Sequence, residues 1–320
     1  GVVYAGAAGM VLEPTSGNNH AKIASALDQL SAGGTTNGAA GIHLAYQLAE
    51  QNIIKDGINR ILIATDGDFN VGTTNFEALK ELVEKKRNNG VSLTTLGFGI
   101  GNYNDHLMEQ LADVGNGNYA YIDTIKEANK VLVEQINSTL FTIAKDVKIQ
   151  IEFNPDVVSE SRLIGYENRQ LNEEDFVNDK VDAGEIGAGH TVTAIYEIVL
   201  QGNQGWLADS RYQNSTASKA HSTEIAFLKI RYKRPDESTS HQLQWPILKS
   251  QIKPSSETSN EFKFAASVAA FAQILRDGTY LKSFTYDDIL SLARSSKGTD
   301  NFGYRGEFLQ LVSLAKGLAN

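Results

Sequence analysis

The chain has 320 residues, of which 41% are hydrophobic and 21% are charged, and its formal net charge is −9 at pH 7. This composition is typical of a globular protein with more than one core. The chain contains no run of about 18 apolar residues, which is the length needed to cross a bilayer. Basic residues are spread along the chain, which argues against nucleic acid as a partner. The absence of cysteine excludes disulfides, thiolate metal ligands and a cysteine nucleophile.

Apolar strands alternate with helical patterns over residues 1–140. This alternation predicts an α/β fold with a mainly parallel, Rossmann-like sheet. The almost entirely apolar run Arg60–Thr65 is typical of a strand that is buried on both faces. The predicted strands are residues 1–4, 8–12, 60–65, 91–98 and 119–122, and the predicted helices are residues 21–30, 42–48, 76–86, 107–114 and 125–139.

The pattern changes after about residue 140, where apolar and polar residues alternate with a period of two. Residues 141–250 are therefore predicted to form an antiparallel β region, with strands at 147–153, 192–200, 225–232 and 243–247. Residues 251–320 are predicted to be a linker followed by helices at 262–275, 286–294 and 305–318, where Thr285 and Asp288 form a capping-box pattern.

Two short segments carry the information about function. Residues 33–42 read GGTTNGAAGI, and residues 61–68 read ILIATDGD at the end of a buried strand. Both resemble loops of von Willebrand factor type A (VWA) domains, which hold a divalent cation at the C-terminal edge of the sheet, in a metal-ion-dependent adhesion site. The resemblance implies that Thr36 and Asp66 are metal ligands. Their oxygen atoms suit a hard cation such as Mg²⁺.

Each of these residues also has a simpler interpretation. Thr36 could be a hydroxyl near a helix start, and Asp66 could be a turn former beside Gly67. The glycines of residues 97–101 follow a strand, but their spacing is wrong for a dinucleotide-binding loop and favours a structural turn. The histidines are scattered without a catalytic pattern, so the chain is predicted not to be an enzyme.

The chain also departs from the VWA pattern. No apolar strand ending in Asp-x-Ser-x-Ser precedes Gly1, so we expect a VWA domain that lacks its first strand and that metal loop, in a fragment of a longer chain. Two ligands alone are not expected to hold a cation. Asp236–Ser240 matches the lost motif, but it follows Lys233, Arg234 and Pro235 as at an exposed hairpin tip, and we interpret it as a chance match.

Residues 97–105, 115–123, 227–232 and 302–305 further resemble a bacterial VWA subgroup with its own C-terminal region. The resemblance implies a binding or adhesion-type protein that grips a protein partner, through an acidic side chain of that partner bound to the metal. It also implies a cell-envelope or exported location, because relatives of this kind carry lipoprotein-type signals. The alternatives are an intracellular adaptor of an AAA+ ATPase and a hydrolase subunit.

Overall fold

A computed structural model of the chain describes residues 1–4, 8–31, 37–55, 57–65, 76–99, 104–166, 170–207 and 221–319. The fold is mixed α/β, as predicted, with a parallel sheet, antiparallel sheets and C-terminal helices. The chain divides into two compact units, namely Gly1–Lys148 with Glu174–Thr191 and Arg231–Gln242, and Ile149–Glu173 with Val192–Ile230 and Leu243–Asn320.

The first unit contains the α/β part of the chain. Strands β3, β4 and β5 form a parallel sheet in that order, and β1 and β2 form a separate antiparallel pair. The strands are β1 (Val2–Tyr4), β2 (Ala8–Met10), β3 (Arg60–Thr65), β4 (Ser92–Gly97) and β5 (Tyr119–Tyr121), and the helices are α1 (His20–Asp28), α2 (Gly38–Gln51), α3 (Phe76–Asn88), α4 (Asp105–Val114), α5 (Ile125–Asn129) and α6 (Ile136–Leu140).

The larger core cluster of this unit lies on one face of the parallel sheet, and Leu96, Ile122 and Val131 form a second, smaller cluster. Alternate residues of β3 and β4, such as Ile63 and Leu93, point into the larger cluster and meet apolar residues from α2, α3 and α4. Burying each large side chain contributes about 1.5 to 3 kcal/mol. The fully buried members are Ile42, Tyr46, Val83, Val91, Leu93, Met108 and Leu111.

The prediction of one continuous helix over residues 125–139 was wrong, because the segment is divided. A π-helical turn at Lys130–Glu134 separates α5 from α6, and the amide of Gln135 donates to the carbonyl of Lys130 at 2.8 Å. The hydroxyls of Ser138 and Thr139 both donate to the carbonyl of Gln135, and such side-chain bonds compete with regular helix formation.

The predicted antiparallel β region is confirmed, with two strands that the sequence pattern did not predict. The neighbouring strands β11, β10, β6 and β8 form one sheet, and β7 pairs antiparallel with β9 in another. The charged residues of β7 and the short, glycine-bounded β8 hide the period of two. The strands are β6 (Thr142–Phe153), β7 (Val158–Ile164), β8 (Gly184–Gly187), β9 (Ile195–Leu200), β10 (Glu224–Lys233) and β11 (Ser240–Leu248).

Three helices form a core of their own in the second unit, namely α7 (Asn260–Leu275), α8 (Tyr286–Ser296) and α9 (Tyr304–Leu318). Ile289 and Val312 are fully buried there against aromatic residues such as Phe271. The predicted capping box is confirmed, since Thr285 and Asp288 each bond to the other's backbone amide. Within the described residues, no helix is both long and apolar enough to span a bilayer.

Asp146, Asp182 and Glu185 form a cluster in the first unit, which we call the carboxylate cluster. Arg87 of α3 pairs with Asp182, and the Nζ of Lys233 lies 2.6 Å from Asp146. Glu185 has a buried Oε1 without a hydrogen-bond partner among the described residues. Burial, together with the neighbouring Asp182 and Asp146, raises the pKa of Glu185 to about 8.

Glu185 should therefore make the stability of the fold depend on pH. A carboxyl whose pKa is higher in the folded state than in the unfolded chain destabilises the fold as the pH rises between those two values. We expect Glu185→Gln to be more stable than the unmodified protein near pH 9, by more than about 1 kcal/mol, which corresponds to about one pKa unit. Urea unfolding between about pH 5 and pH 9 measures this difference.

The matched control is Glu257→Gln, which removes an exposed carboxyl outside the cluster. This variant should keep the pH dependence of the unmodified protein. If Glu185→Gln also keeps the pH dependence of the unmodified protein, the Glu185 carboxyl is not the group that makes the stability depend on pH.

Candidate functional site at the C-terminal edge of the parallel sheet

The three parallel strands end level with one another. Thr65 of β3 lies opposite Gly97 of β4, which lies opposite Tyr121 of β5. The amide of Phe98 donates to the carbonyl of Thr65 at 2.9 Å, and the amide of Ile122 donates to that of Gly97 at 2.8 Å. The chain segments that follow the strands therefore leave from one edge, which is where ligands usually bind in open α/β sheets.

The first residues after β4 are held by hydrogen bonding and backbone conformation. The hydroxyl of Tyr121 donates to the carbonyl of Gly99 at 2.5 Å. Gly99 has a φ of +86°, a left-handed conformation that glycine adopts without a steric penalty. The predicted structural turn stays a prediction, because residues 100–103 lie outside the described residues.

Two helices begin close in sequence to the candidate site. Helix α2 follows the loop at residues 33–37 that resembles a VWA loop, and α4 follows the segment after β4. The side chain of Asn37 caps α2 by accepting from the amide of Ala40 at 3.2 Å, and that of Asn104 caps α4 by accepting from the amide of Leu107 at 3.1 Å. A helix start carries a partial positive charge, which favours a nearby anionic group.

Tyr4 links the start of α2 to the end of β3. Its ring packs on Gly41 so closely that a Cβ atom added there would lie 2.6 Å from the Cγ of Tyr4. Its hydroxyl donates to the carbonyl of Ala64 at 2.9 Å. One side chain thus holds together two elements that lie far apart in sequence.

The two predicted ligands, Thr36 and Asp66, lie outside the described residues, so their role stays a prediction. Each is adjacent to a described residue, since Thr36 precedes Asn37 and Asp66 follows Thr65. The motif comparison missed Tyr4, although an aromatic residue at the end of a short strand is a weak sign of such a contact. Over the described ranges, no group of three or more His, Asp or Glu side chains could hold a metal ion.

The Asp-x-Ser-x-Ser string at Asp236–Ser240 lies between neighbouring strands, because β10 ends at Lys233 and β11 begins at Ser240. Glu237 pairs with Arg234 at 3.1 Å, and the hydroxyl of Ser240 donates to Asp179 at 2.5 Å. These contacts agree with the hairpin tip that the sequence predicts.

Comparison with known proteins places this fold in a family. A model of the von Willebrand factor type A domain matches residues 1–154, and a model of "Uncharacterized protein YfbK, C-terminal" matches residues 138–318. The chain is a VWA-domain protein of the YfbK family. It is 47% identical over 321 residues to "Uncharacterized protein YfbK" of Escherichia coli K12, and it spans 55% of the length of that relative.

Solved structures of other VWA proteins are similar to this YfbK-family chain at low sequence identity. A von Willebrand factor type A protein from Catenulispora acidiphila is 12% identical, with a TM-score of 0.41 over 92% of this chain and 70% of that one. Proximal thread matrix protein 1 from the mussel byssus, with a zinc-occupied MIDAS motif, is 16% identical, with a TM-score of 0.35 over 42% of this chain and 34% of that one.

The contact between Tyr4 and Gly41 can be tested by substitution. Gly41→Ala should destabilise the VWA domain by about 1 to 3 kcal/mol, because the added methyl group overlaps the ring of Tyr4. Thermal unfolding should show a clearly smaller loss when the same change is made in a Tyr4→Ala background.

Gly317→Ala is the control, because Gly317 is also helical and has open space at its Cβ position. That change should be neutral or slightly stabilising, since alanine favours helix more than glycine does. Equal losses from Gly41→Ala with and without Tyr4 would rule out the contact.

Proposed function

We propose that this YfbK-family chain is a non-enzymatic binding protein whose VWA domain grips a protein partner at the C-terminal edge of the β3–β4–β5 sheet. In this proposal a divalent cation, held in part by Thr36 and Asp66, bridges the domain to an acidic side chain of the partner. Membership of a family of interaction modules supports the general role, and the cation and its ligands are the finer part of the proposal.

The observation that carries the proposal is the link made by Tyr4. Tyr4 contacts Gly41 in the first turn of α2 and Ala64 near the end of β3, and it thereby links the two elements. Thr36 lies five residues before Gly41, and Asp66 lies two residues after Ala64. One side chain therefore links the two segments that lead to the proposed ligands, which supports a cation shared between them.

The chemistry of the two side chains fits a hard cation. A hydroxyl and a carboxylate supply two of the roughly six oxygen ligands that Mg²⁺ prefers, so the shell remains open to water and to a further carboxylate. A domain with a net negative charge would otherwise repel an acidic partner, and a bound cation removes that repulsion locally.

Divalent-cation binding provides the direct test. Isothermal titration with Mg²⁺ and Mn²⁺ should show weak binding to this chain, weaker than about 10 μM, because two protein ligands leave most of the shell to water. Asp66→Ala should weaken the binding by at least about tenfold, a loss of about 1.4 kcal/mol, and Thr36→Ala should weaken it less.

Asp105→Ala is the matched control, because it removes a carboxylate at the start of α4 that hydrogen-bonds to Tyr119 and is not a proposed ligand. Cation binding should survive this change. If Asp66→Ala and Asp105→Ala reduce the affinity equally, a general loss of negative charge explains the result and the site is wrong.

A further inference from the structure

Helix α7 is apolar on two opposite faces. One face, which includes Phe271 and Ile274, packs in the core of the three C-terminal helices. Because a helix completes a turn in 3.6 residues, Ala265, Val268 and Ala272 share the opposite face. A helix that is apolar all round is normally buried all round, yet Val268 is 42% exposed. This second face is therefore expected to meet a further apolar partner.

A groove, which we call the α7 groove, lies between this face of the helix and the ends of β7 and β9. Its volume is about 370 Å³, and small-molecule sites typically have about 300 to 1,000 Å³. The short alanine side chains of α7 leave this space open between the helix and the strands. The apolar residues that line the groove are Ile164, Ile195, Ala265, Val268, Ala269 and Ala272.

The part of the groove near the C-terminal end of α7 is polar, because Gln273 and Arg276 line it. The side-chain oxygen of Gln273 accepts a hydrogen bond from Arg162 at 3.1 Å. The other end of this amide is an NH₂ group, which can only donate. The guanidinium of Arg276 adds positive charge, and none of the described residues that line the groove is acidic. This end of the groove is therefore suited to an anionic group.

Arg162 holds this end of the groove in place. Its Nε donates to the carboxylate of Glu197 at 2.7 Å, and its guanidinium lies 4.1 Å from the centre of the Tyr280 ring. The ion pair offsets the charge of Glu197, which would otherwise repel an anion bound at Gln273. The contacts of Arg162 thus fix the amide of Gln273 and favour a negative charge beside it.

The dimensions of the groove favour one hydrocarbon chain. Ala265 and Arg276, at its two ends along α7, are about 16 Å apart along the helix axis. The volume equals the share of about 12 water molecules in the liquid, which is room for a single chain but not for the two chains of a phospholipid. The planar guanidinium of arginine matches the geometry of a carboxylate.

We propose that the α7 groove binds a free fatty acid. The hydrocarbon chain lies between α7 and the ends of β7 and β9, and the carboxylate accepts hydrogen bonds from Gln273 and Arg276. Removal of the chain from water supplies most of the affinity, and the two polar side chains set its direction in the groove. This site belongs to the second unit and does not depend on the proposed cation site of the VWA domain.

Isothermal titration of the full chain with sodium dodecanoate, kept below the concentration at which it forms micelles, tests the proposal. We expect a Kd of about 10 to 100 μM. Dodecanol, which has the same chain length without the charge, should bind about fivefold more weakly or worse. In spectra of isoleucine-methyl-labelled protein, Ile164 and Ile195 should shift on binding, whereas Ile289, buried in the helical core, should not.

Two substitutions test the two ends of the ligand. Ala272→Trp should weaken dodecanoate binding about tenfold or more, because the indole fills the groove, whereas Ala24→Trp, at an exposed alanine of α1, should not weaken it. Arg276→Gln should weaken dodecanoate binding about fivefold and leave dodecanol binding unchanged. Arg294→Gln, which removes an exposed arginine of α8, should change neither.

The proposal is overturned if dodecanoate does not bind, if binding survives Ala272→Trp, or if it shifts neither isoleucine methyl group in the groove. Equal affinities for dodecanoate and dodecanol, or tighter binding of dodecyl phosphate, would refute the carboxylate head group. A dimer that forms at high protein concentration and shifts the same methyl groups without added ligand would identify a second copy as the occupant and would refute the fatty acid.

Discussion

The parallel pairing of β3 with β4 is the constraint on which the rest of the VWA domain depends. Because the pairing is in register from Arg60 to Thr65, the two strands end together and the segments that follow them leave from one edge. The same pairing turns Ile63 and Leu93 to one face, where the helices close the core. A shift of one strand by one residue would turn its side chains away from that core, so the packing that stabilises the domain also fixes the geometry of the candidate site.

Tyr4 links the parallel sheet to helix α2, which lies outside the sheet. The ladder holds Ala64 in place, and the hydroxyl of Tyr4 then fixes the start of α2 relative to Ala64. A single hydrogen bond contributes only about 0.5 to 1.5 kcal/mol, so the stability of the domain does not depend on it. Tyr4 instead fixes the position of α2 relative to β3, because its ring lies so close to Gly41 that the helix cannot move nearer to the ring.

The sequence predicted most of the fold because its strands and helices have clear hydrophobic periods. It failed where the period is hidden, at β7 with its charged residues and at the short β8, and where local hydrogen bonds outweigh periodicity, at the π-helical turn. For the candidate site, motif comparison could indicate Thr36 and Asp66, but the role of Tyr4 depends on a contact between distant segments. The carboxylate cluster is equally non-local, since Arg87 and its partner Asp182 are 95 residues apart in sequence.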